Sequence, residues 1–226
     1  GLVSRFRVGR VGVSADVKEM FSQVALPKED ERMLIFLWRD MDRSRKPDYY
    51  TNCRHVFGAK CSPSTCSFAL RFLGKKAEAS KKPEFKGVQE IVELSFYMDD
   101  FYQCANTEEE ATRIAHQVQE ALALGKFELV KWISTSRKVI ESFKEDQRAP
   151  ACKLLKTEEM LPTQKVLGTV WNVEKDCFSL TTRSHEPEEL NPAAVLSYLM
   201  SIYDLLGIAS PVLLVGKKLM HTIWME

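Results

Sequence analysis

Two adjacent aspartates stand between two short apolar and aromatic runs, and this arrangement constrains the fold more than any other feature of the chain. One run covers Ile91 to Tyr97 and the other covers Phe101 to Cys104. Between them lie Met98, Asp99 and Asp100. Apolar runs of strand length joined by a short polar turn are typical of a tight β-hairpin. The sequence therefore predicts a hairpin that presents two carboxylates at its tip.

A third carboxylate belongs to a second predicted strand. Apolar residues alternate with small or polar ones from Val11 to Val17, which is the period of a half-buried strand and places Asp16 near its end, on the face opposite the valines. If this strand lies beside the hairpin, the three acids meet. Mg²⁺ favours such oxygen ligands and completes its shell with waters and substrate phosphates. Taken alone, an Asp-Asp pair in a turn is more commonly ordinary turn chemistry than a metal site.

Two helices are predicted from their start signals. Thr107 and Glu110 form a capping box before an apolar helical face that ends at Gly125. Ser62 and Pro63 mark the start of another helix, in which the serine would cap free amides. The lysine-rich stretch from Lys75 to Lys86 is interpreted as a loop or as the frayed end of that helix. Its lysines could follow a nucleic-acid backbone, but a solvated surface is the ordinary interpretation.

Two further hairpins and a helical C-terminal region are predicted. The runs from Met33 to Trp38 and from Tyr49 to Val56 suggest one hairpin. The stretch from Val166 to Phe178, with a polar turn from Asn172 to Asp176, suggests another. From Pro192 onward the pattern is helical, with a break near 207–211.

Composition places the chain among ordinary globular proteins and is silent on function. The 226 residues are 45% hydrophobic and 28% charged, with a net charge of +1, so any phosphate-binding surface must arise from local clustering of cations. The six cysteines contain no C-x-x-C pair, which favours reduced thiols and a reducing intracellular compartment. The apolar segment 195–215 is interrupted by Asp204, Gly207 and Pro211, which favours packed helices over a membrane span. The chain opens without an initiator Met and is expected to be an excerpt of a longer polypeptide.

Three segments resemble reverse transcriptases. The run from Phe96 to Asp100 resembles the Tyr-Met-Asp-Asp box of that family, and Ala15 to Val17, followed by Phe21, is similar to its first catalytic segment. Gly58, Ser62 and Pro63 match a Gly-x-x-x-Ser-Pro segment between the two. Several further stretches look like the Bel-Pao group of retrotransposons. These stretches are 20–38, 55–70, 131–134 and 201–204.

The resemblance implies an α+β fold, the palm of a right-hand polymerase. An antiparallel sheet backed by helices would form the palm, with partial fingers at about residues 25–56, all within residues 1–180. Residues 181–226 would begin a helical thumb or connection region. The hairpin from Val166 to Phe178 resembles a primer grip. The outer fingers of the family would precede residue 10, which leaves open whether the excerpt is active alone.

The resemblance also assigns roles to individual residues. Asp16 and Asp99 would be metal ligands together with the Val17 carbonyl, and Asp100 would support them. Two Mg²⁺ ions are implied, with Mn²⁺ as an alternative. Phe21 would be a steric gate against ribonucleotides. The residue alone is more typical of a core aromatic, and the two roles are compatible.

The remaining assignments concern substrate contacts. Tyr97, Met98, Gly58, Ser62 and Pro63 would lie along the template and the incoming nucleotide. Lys131 matches a lysine proposed to protonate the leaving pyrophosphate. The sequence departs from the retroviral pattern at Phe57, where glutamine usually precedes the glycine, so this contact with the sugar would be apolar.

The resemblance predicts an RNA-directed DNA polymerase domain of a retrotransposon polyprotein. Its partners would be an RNA or DNA template with primer, deoxynucleoside triphosphates and the other polyprotein domains, without a membrane. Its location would be intracellular, either in cytoplasmic virus-like particles or in the nucleus. Two alternatives stay open. One is an inactive or domesticated remnant that serves as a binding scaffold, and the other is an unrelated two-metal nuclease or phosphatase, which would have no use for the Phe21 gate.

Overall fold

The computed structural model describes residues 1–153, 160–180 and 191–225, and it divides the chain into two units, Gly1–Leu154 and Leu155–Glu226. The strands of the first unit are β1 (Val11–Val17), β2 (Ile35–Trp38), β3 (Asp48–Thr51), β4 (Phe96–Tyr97), β5 (Asp100–Ala105) and β6 (Leu129–Ser134). Its helices are α1 (Leu2–Phe6), α2 (Met20–Gln23), α3 (Lys28–Glu31), α4 (Ser62–Ala79), α5 (Val88–Ser95), α6 (Glu108–Ala123) and α7 (Arg137–Glu141). Helices and antiparallel sheets together confirm the predicted α+β class.

The central sheet of the first unit has the strand order β4-β5-β1-β6, and every neighbouring pair is antiparallel. Strand β1 therefore lies between β5 and β6. The strand predicted from the alternation is confirmed, but it is not half-buried, because both of its faces are covered. Val13 belongs to the main core, while Ser14 is buried on the opposite face, where Tyr102 packs edge-on against Phe6 of α1.

The core packs helices α4, α5 and α6 against one face of this sheet. The face of α4 that meets the core repeats at helical spacing and contains Cys66, Leu70, Leu73 and Ala77. The capping box of α6 is confirmed, since the Glu110 N–H donates to the Thr107 hydroxyl at 3.2 Å. The returning bond differs from a regular capping box, because the Glu110 carboxylate accepts from the N–H of Asn106, one residue before the N-cap, at 3.1 Å. Helix α4 continues to Ala79, so the stretch from Lys75 is at first the end of that helix, as the second of the two interpretations had it, and the chain leaves the helix at Ser80.

The strand predicted from Ile91 to Tyr97 was wrong over most of its length. Residues 91–95 belong to α5, which buries Val88, Val92 and Ser95 at helical spacing, and only Phe96–Tyr97 forms a strand. The physical reason is that α5 packs on α4, with the Val92 side chain in contact with the helix surface at Gly74. A short apolar run has no periodicity that separates a strand from a buried helix.

The predicted hairpin at residues 33–56 exists as β2 and β3, which pair antiparallel from Ile35 opposite Thr51 to Trp38 opposite Asp48. Met33 lies in a 3-10 turn and the second strand ends at Thr51, so both strands are shorter than predicted. All eight strand residues are exposed.

The second unit contains a sheet of three strands, β7 (Thr163–Val166), β8 (Thr169–Asn172) and β9 (Cys177–Ser179), and two helices, α8 (Pro192–Ser201) and α9 (Ser210–Met225). The predicted turn from Asn172 to Asp176 and the predicted helical pair are confirmed. The unit begins well before residue 180. The turn between β7 and β8 packs within it, since a Cβ at Gly168 would meet the Tyr203 ring. The subdomain boundary proposed near 180 adjoins residues 181–190, which lie outside the described residues.

The structure shows the state of the cysteines. All six cysteines carry free thiols, as expected for a chain without disulfides. Burial raises the pKa of Cys66 and of Cys152 to about 11, which keeps both thiols protonated.

Across the described helices, none combines the length and the apolar character needed to cross a membrane.

Candidate active site

The three predicted acids come together at one end of the central sheet. Strands β1 and β5 are adjacent and antiparallel, and their register pairs Asp16 with Asp100. Beyond that pair, the Val17 N–H donates to the Asp99 carbonyl at 2.7 Å. The turn that carries Asp99 is therefore fixed to the end of β1 by backbone contacts.

The hairpin tip is a tight turn between β4 and β5. Tyr97 pairs with Asp100, so that only Met98 and Asp99 lie outside the ladder. Met98 has a φ of 56°, in the left-handed region that two-residue hairpin turns use. Tyr97, Met98 and Asp99 are exposed, whereas Asp100 is half-buried. The turn thus presents one acid to solvent and holds its neighbour against β1.

Like charges and burial act together on Asp100. Burial raises the pKa of this carboxyl most, and the nearby charges of Asp16 and Asp99 raise it further, while a hydrogen bond from Tyr102 lowers it, with a resulting value of about 6. Tyr102 follows Asp100 by two residues on the same strand, and the alternation of strand side chains places both on one face. That alternation could have identified Tyr102 from the sequence, although its role was not predicted.

Lys131 neutralises part of this charge. Its ammonium donates a hydrogen bond to Oδ2 of Asp16, and this contact raises the pKa of Lys131 above its ordinary value. The side chain points toward Asp16 because β6 carries a bulge. Two residues, Lys131 and Trp132, lie opposite one residue of β1, and Lys131 has a φ of 56°.

The donor set fits a hard divalent cation in its chemistry, because it consists of carboxylate oxygens and the neighbouring Val17 carbonyl. Within the described ranges, however, no three side chains of His, Cys, Asp or Glu are arranged so as to hold a metal ion. One oxygen of Asp16 already accepts from the Lys131 ammonium. A cation at this oxygen of Asp16 would compete with the Lys131 ammonium.

Phe21 and Phe57 form a second part of the site region. Phe21 belongs to α2, just beyond the end of β1, and is half-buried against the core. The ring of Phe57 meets it edge-on, with centroids 4.7 Å apart and planes at 86°. Phe57 itself is 80% exposed, so its ring stands in solvent apart from this contact. The sequence predicted both residues at the site but gave no indication of their contact.

The segment from Gly58 to Pro63 shapes the start of α4. Gly58 has a φ of 89°, a backbone conformation that residues other than glycine rarely adopt. The Ser62 hydroxyl donates to the Val56 carbonyl at 2.8 Å and accepts from Nδ1 of His55 at 3.1 Å. Ser62 is fully buried, begins the helix and caps no amide, which corrects its predicted capping role. Its contribution is to hold the segment on α4, while Pro63 lies nearer the surface.

Comparison with known proteins assigns this architecture to one class. A sequence profile described as "Reverse transcriptase (RNA-dependent DNA polymerase)" matches residues 4–131, which is more than half of the chain. The matched range contains every residue of the acidic cluster, the two aromatic residues and the segment from Gly58 to Pro63. None of the curated proteins matches the chain.

Proposed function

The chain belongs to the reverse transcriptase (RNA-dependent DNA polymerase) family, and from this membership we propose that residues 1–180 form a catalytic palm that extends a primer by nucleotidyl transfer. The observation that carries the proposal is the register of β1 and β5, which places Asp16 opposite Asp100. Acids from distant parts of the chain thereby meet at one sheet end. An ordinary turn with an Asp-Asp pair would not need a third acid beside it.

The metal-binding residues would be Asp16, Asp99 and the Val17 carbonyl, with Asp100 as the supporting acid. Two Mg²⁺ ions, or Mn²⁺ in their place, would supply activation of the attacking 3′ hydroxyl and neutralisation of the triphosphate when bound. Asp100 suits the supporting role, because it is half-buried and accepts from Tyr102. Asp99 is exposed at the tip and so lies open to substrate.

Lys131 would serve in two states. In the metal-free protein its ammonium balances the charge of Asp16. With a cation held by Asp16, the Lys131 ammonium would be free to donate a proton to the leaving pyrophosphate. The hydrogen bond to Asp16 raises the pKa of Lys131 above an ordinary value at which the side chain is already protonated near neutral pH.

Phe21 would exclude a ribose 2′ hydroxyl by overlap with its ring, and Phe57 would hold that ring from the solvent side. Tyr97, Met98, Gly58 and Pro63 would line the path of the template and the incoming nucleotide. Within the second unit, the hairpin of β8 and β9 would act as a primer grip.

The wider context also belongs to the proposal. The chain would derive from a Bel-Pao-like retrotransposon polyprotein, with partial fingers at residues 25–56, a thumb or connection region after 180, and an intracellular site of action. The likeness of its motifs to that group supports this assignment. The alternative of an inactive binding scaffold predicts template binding without extension, and intact acids at all three positions count against it.

Primer extension tests the proposed function. A primed RNA template, deoxynucleoside triphosphates and Mg²⁺ would be supplied to this chain and to the longer polypeptide from which it is expected to derive. We expect Asp99→Asn to abolish extension while the circular dichroism spectrum stays unchanged. Glu90→Gln, at an exposed acid of α5, is the matched control and should extend normally. Equal extension by the Asp99→Asn variant would refute the proposal.

A further inference from the structure

Trp132 follows Lys131 on β6 and is fully buried in the core. Its ring stacks on Phe143, with centroids 4.2 Å apart and planes at 6°. It also meets Phe101 edge-on, with centroids 5.9 Å apart and planes at 71°. Phe101 comes directly after Asp100 on β5. One buried ring therefore adjoins Lys131 along the chain and contacts the strand that carries the acidic tip.

The indole of Trp132 acts through packing and not through hydrogen bonding. Its Nε1 is buried and has no hydrogen-bond partner among the residues that the structure describes. A buried N–H without a partner lowers stability, so this atom does not explain a tryptophan at the position. The ring supplies flat contact area to Phe143 and Phe101. A phenylalanine could keep part of that contact, whereas an aliphatic side chain would lose the ring face.

The bulge of β6 follows from which side chains face the core. Leu129 and Trp132 are both fully buried in the main core, although they are three residues apart in sequence. The alternation of a regular strand would place them on opposite faces. One extra residue between them restores a common face. The register is consistent with this, since Lys131 and Trp132 together lie opposite one residue of β1.

The backbone of Lys131 is held in a conformation that its neighbours must maintain. Its φ of 56° lies in the left-handed region, which costs free energy in a residue with a side chain and persists only where the surroundings fix it. On the far side of the bulge, the Trp132 carbonyl accepts from the Ala149 N–H at 3.0 Å. Arg148 forms a parallel bridge with Trp132, and its Nε donates to the Phe143 carbonyl at 2.9 Å. Both the ring and the backbone of Trp132 are therefore fixed by one segment.

We propose that Trp132 is a positioning residue of the site: its buried ring fixes the bulge of β6 and thereby holds the Lys131 ammonium on Asp16. The competing explanation is that Trp132 only fills the core and that Lys131 reaches Asp16 through its own long side chain. The two differ in whether loss of the ring weakens the ion pair. The holding of Lys131 stands without catalysis, whereas its consequence for primer extension rests on the proposed function.

The first test measures the ion pair in the metal-free protein. The complete chain would carry ¹⁵N-labelled lysine in EDTA, and the Lys131 ammonium would be observed by NMR and assigned by its loss in Lys131→Gln. The hydrogen bond to Asp16 slows exchange of the ammonium protons with water. We expect Trp132→Leu to speed this exchange by about 2- to 5-fold, the range for loss of a solvent-exposed ion pair. Trp132→Phe keeps a ring and should retain most of the wild-type protection.

Two further variants separate positioning from core packing in general. Phe85→Leu is the matched control, because Phe85 is also a buried ring of the main core but lies in a 3-10 turn between α4 and α5. It should leave the exchange unchanged. Phe143→Leu removes the stacking partner and retains Trp132, so it should speed the exchange as Trp132→Leu does. It also removes less volume than Trp132→Leu and so provides the test if that variant does not fold, which urea unfolding would show.

Metal binding gives an independent measurement. Lys131→Gln removes an ammonium that competes for Asp16 and should raise the affinity for Mn²⁺ by about 2- to 5-fold. If Trp132→Leu has already freed Lys131, this gain should disappear in the Trp132→Leu background. It should persist in full in the Phe85→Leu background. The comparison cancels any effect that the loss of the ring has on the acids themselves.

Three outcomes would overturn the proposal. Unchanged exchange of the Lys131 ammonium in folded Trp132→Leu and Phe143→Leu would show that the lysine reaches Asp16 without the ring. An equal change in Phe85→Leu would assign the effect to a general loosening of the core. A gain in Mn²⁺ affinity from Lys131→Gln that is undiminished in the Trp132→Leu background would show that the ammonium still competes normally.

The result is separable from the proposed function. Primer extension by Trp132→Leu should slow by up to about 100-fold, the cost of a misplaced reacting group, while KM for the nucleotide stays near the wild-type value. If extension failed for every variant but the ammonium exchange still depended on Trp132, the positioning role would stand without catalysis. If extension depended on Asp99 but the ammonium exchanged normally in Trp132→Leu, only the positioning role would be refuted.

Discussion

The Lys131 ammonium on β6 donates a hydrogen bond to Oδ2 of Asp16 on the adjacent strand β1. This contact occupies one of the two oxygens through which Asp16 would hold a divalent cation under the proposed function. The ammonium and the cation therefore compete for Asp16. The side chain of Lys131 is 55% exposed and that of Asp16 is 22% exposed, so solvent weakens the ion pair and displacement needs little free energy.

We expect Lys131→Gln to raise the affinity for Mn²⁺ by about 2- to 5-fold, the size expected for removal of a solvent-exposed ion pair. Mn²⁺ binding to the purified chain can be measured by electron paramagnetic resonance. Lys18→Gln is the matched control, because Lys18 forms an ion pair with Glu128 at 3.1 Å beside the same sheet end without touching Asp16. An equal rise in both variants would indicate a general loss of positive charge instead of competition at Asp16.

Tighter metal binding should not make the Lys131→Gln variant faster. If Lys131 protonates the leaving pyrophosphate, extension should slow by about 100-fold or more, the usual contribution of a positioned proton donor. Single-turnover extension at saturating Mn²⁺ separates this loss from the binding gain. A variant that binds Mn²⁺ more tightly and extends at the wild-type rate would leave Lys131 with the charge-balancing role alone.

Phe21→Val should admit ribonucleotides. The smaller side chain removes the ring that would overlap a 2′ hydroxyl, so the preference for deoxynucleotides over ribonucleotides in kcat/KM should fall by about 10- to 100-fold, as for other contacts that discriminate small groups. Incorporation of each nucleotide type opposite one template base measures the preference. Phe36→Val, at an exposed ring of β2, is the control. Unchanged sugar selection in Phe21→Val would remove Phe21 from the site.

Phe57→Leu should relax the same preference to a smaller extent. The edge-on contact with Phe21 contributes about 0.5–1.5 kcal/mol beyond buried area, so we expect an effect of about 2- to 10-fold. If Phe57 acts through the Phe21 ring, the double variant with Phe21→Val should show no loss beyond that of Phe21→Val alone. Additive effects would mean that Phe57 contacts the nucleotide independently of Phe21.

Local patterns predicted the elements that hold the acids. The alternation from Val11 to Val17 identified β1, and the doublet between apolar runs identified the tip, because both signals lie within a few residues of sequence. The capped helix α6 was found for the same reason. The strand assigned to residues 91–95 failed because its apolar spacing suits a helix equally well, and only the contact of Val92 with Gly74 on α4 decides between them.

Contacts between distant segments could not be predicted. The direction of the Lys131 side chain depends on a bulge in β6, and nothing in the sequence from Leu129 to Ser134 marks the extra residue. The contact between Phe21 and Phe57 depends on how α2 meets the segment before α4. The resemblance to a known family supplied the positions of these residues, but only the fold supplies their partners.

Gly9 lies against the backbone of β5, which begins at Asp100 and therefore positions the acidic tip. A Cβ at Gly9 would lie 2.6 Å from the Ala105 carbonyl oxygen, and a backbone atom in a central strand cannot move aside cheaply. At Gly74 the nearest atom to an added Cβ would be the Val92 Cβ at 3.0 Å. Gly74 also lies inside a helix, where alanine is favoured over glycine by about 1 kcal/mol.

We therefore expect Gly9→Ala to lower the free energy of unfolding by about 1–3 kcal/mol, the usual cost of inserting a methyl group into packed structure. Gly74→Ala should cost less, because helix propensity offsets part of its crowding. Urea unfolding of the two variants and the wild type, followed by circular dichroism, measures both values. In a protein that already carries Val92→Ala, Gly74→Ala should cost less stability than it does in the wild type, because the side chain that crowds the new methyl group is gone. No side-chain substitution can relieve Gly9→Ala in this way, since its neighbour is backbone. Equal losses at the two glycines would contradict the close approach of Gly9 to β5.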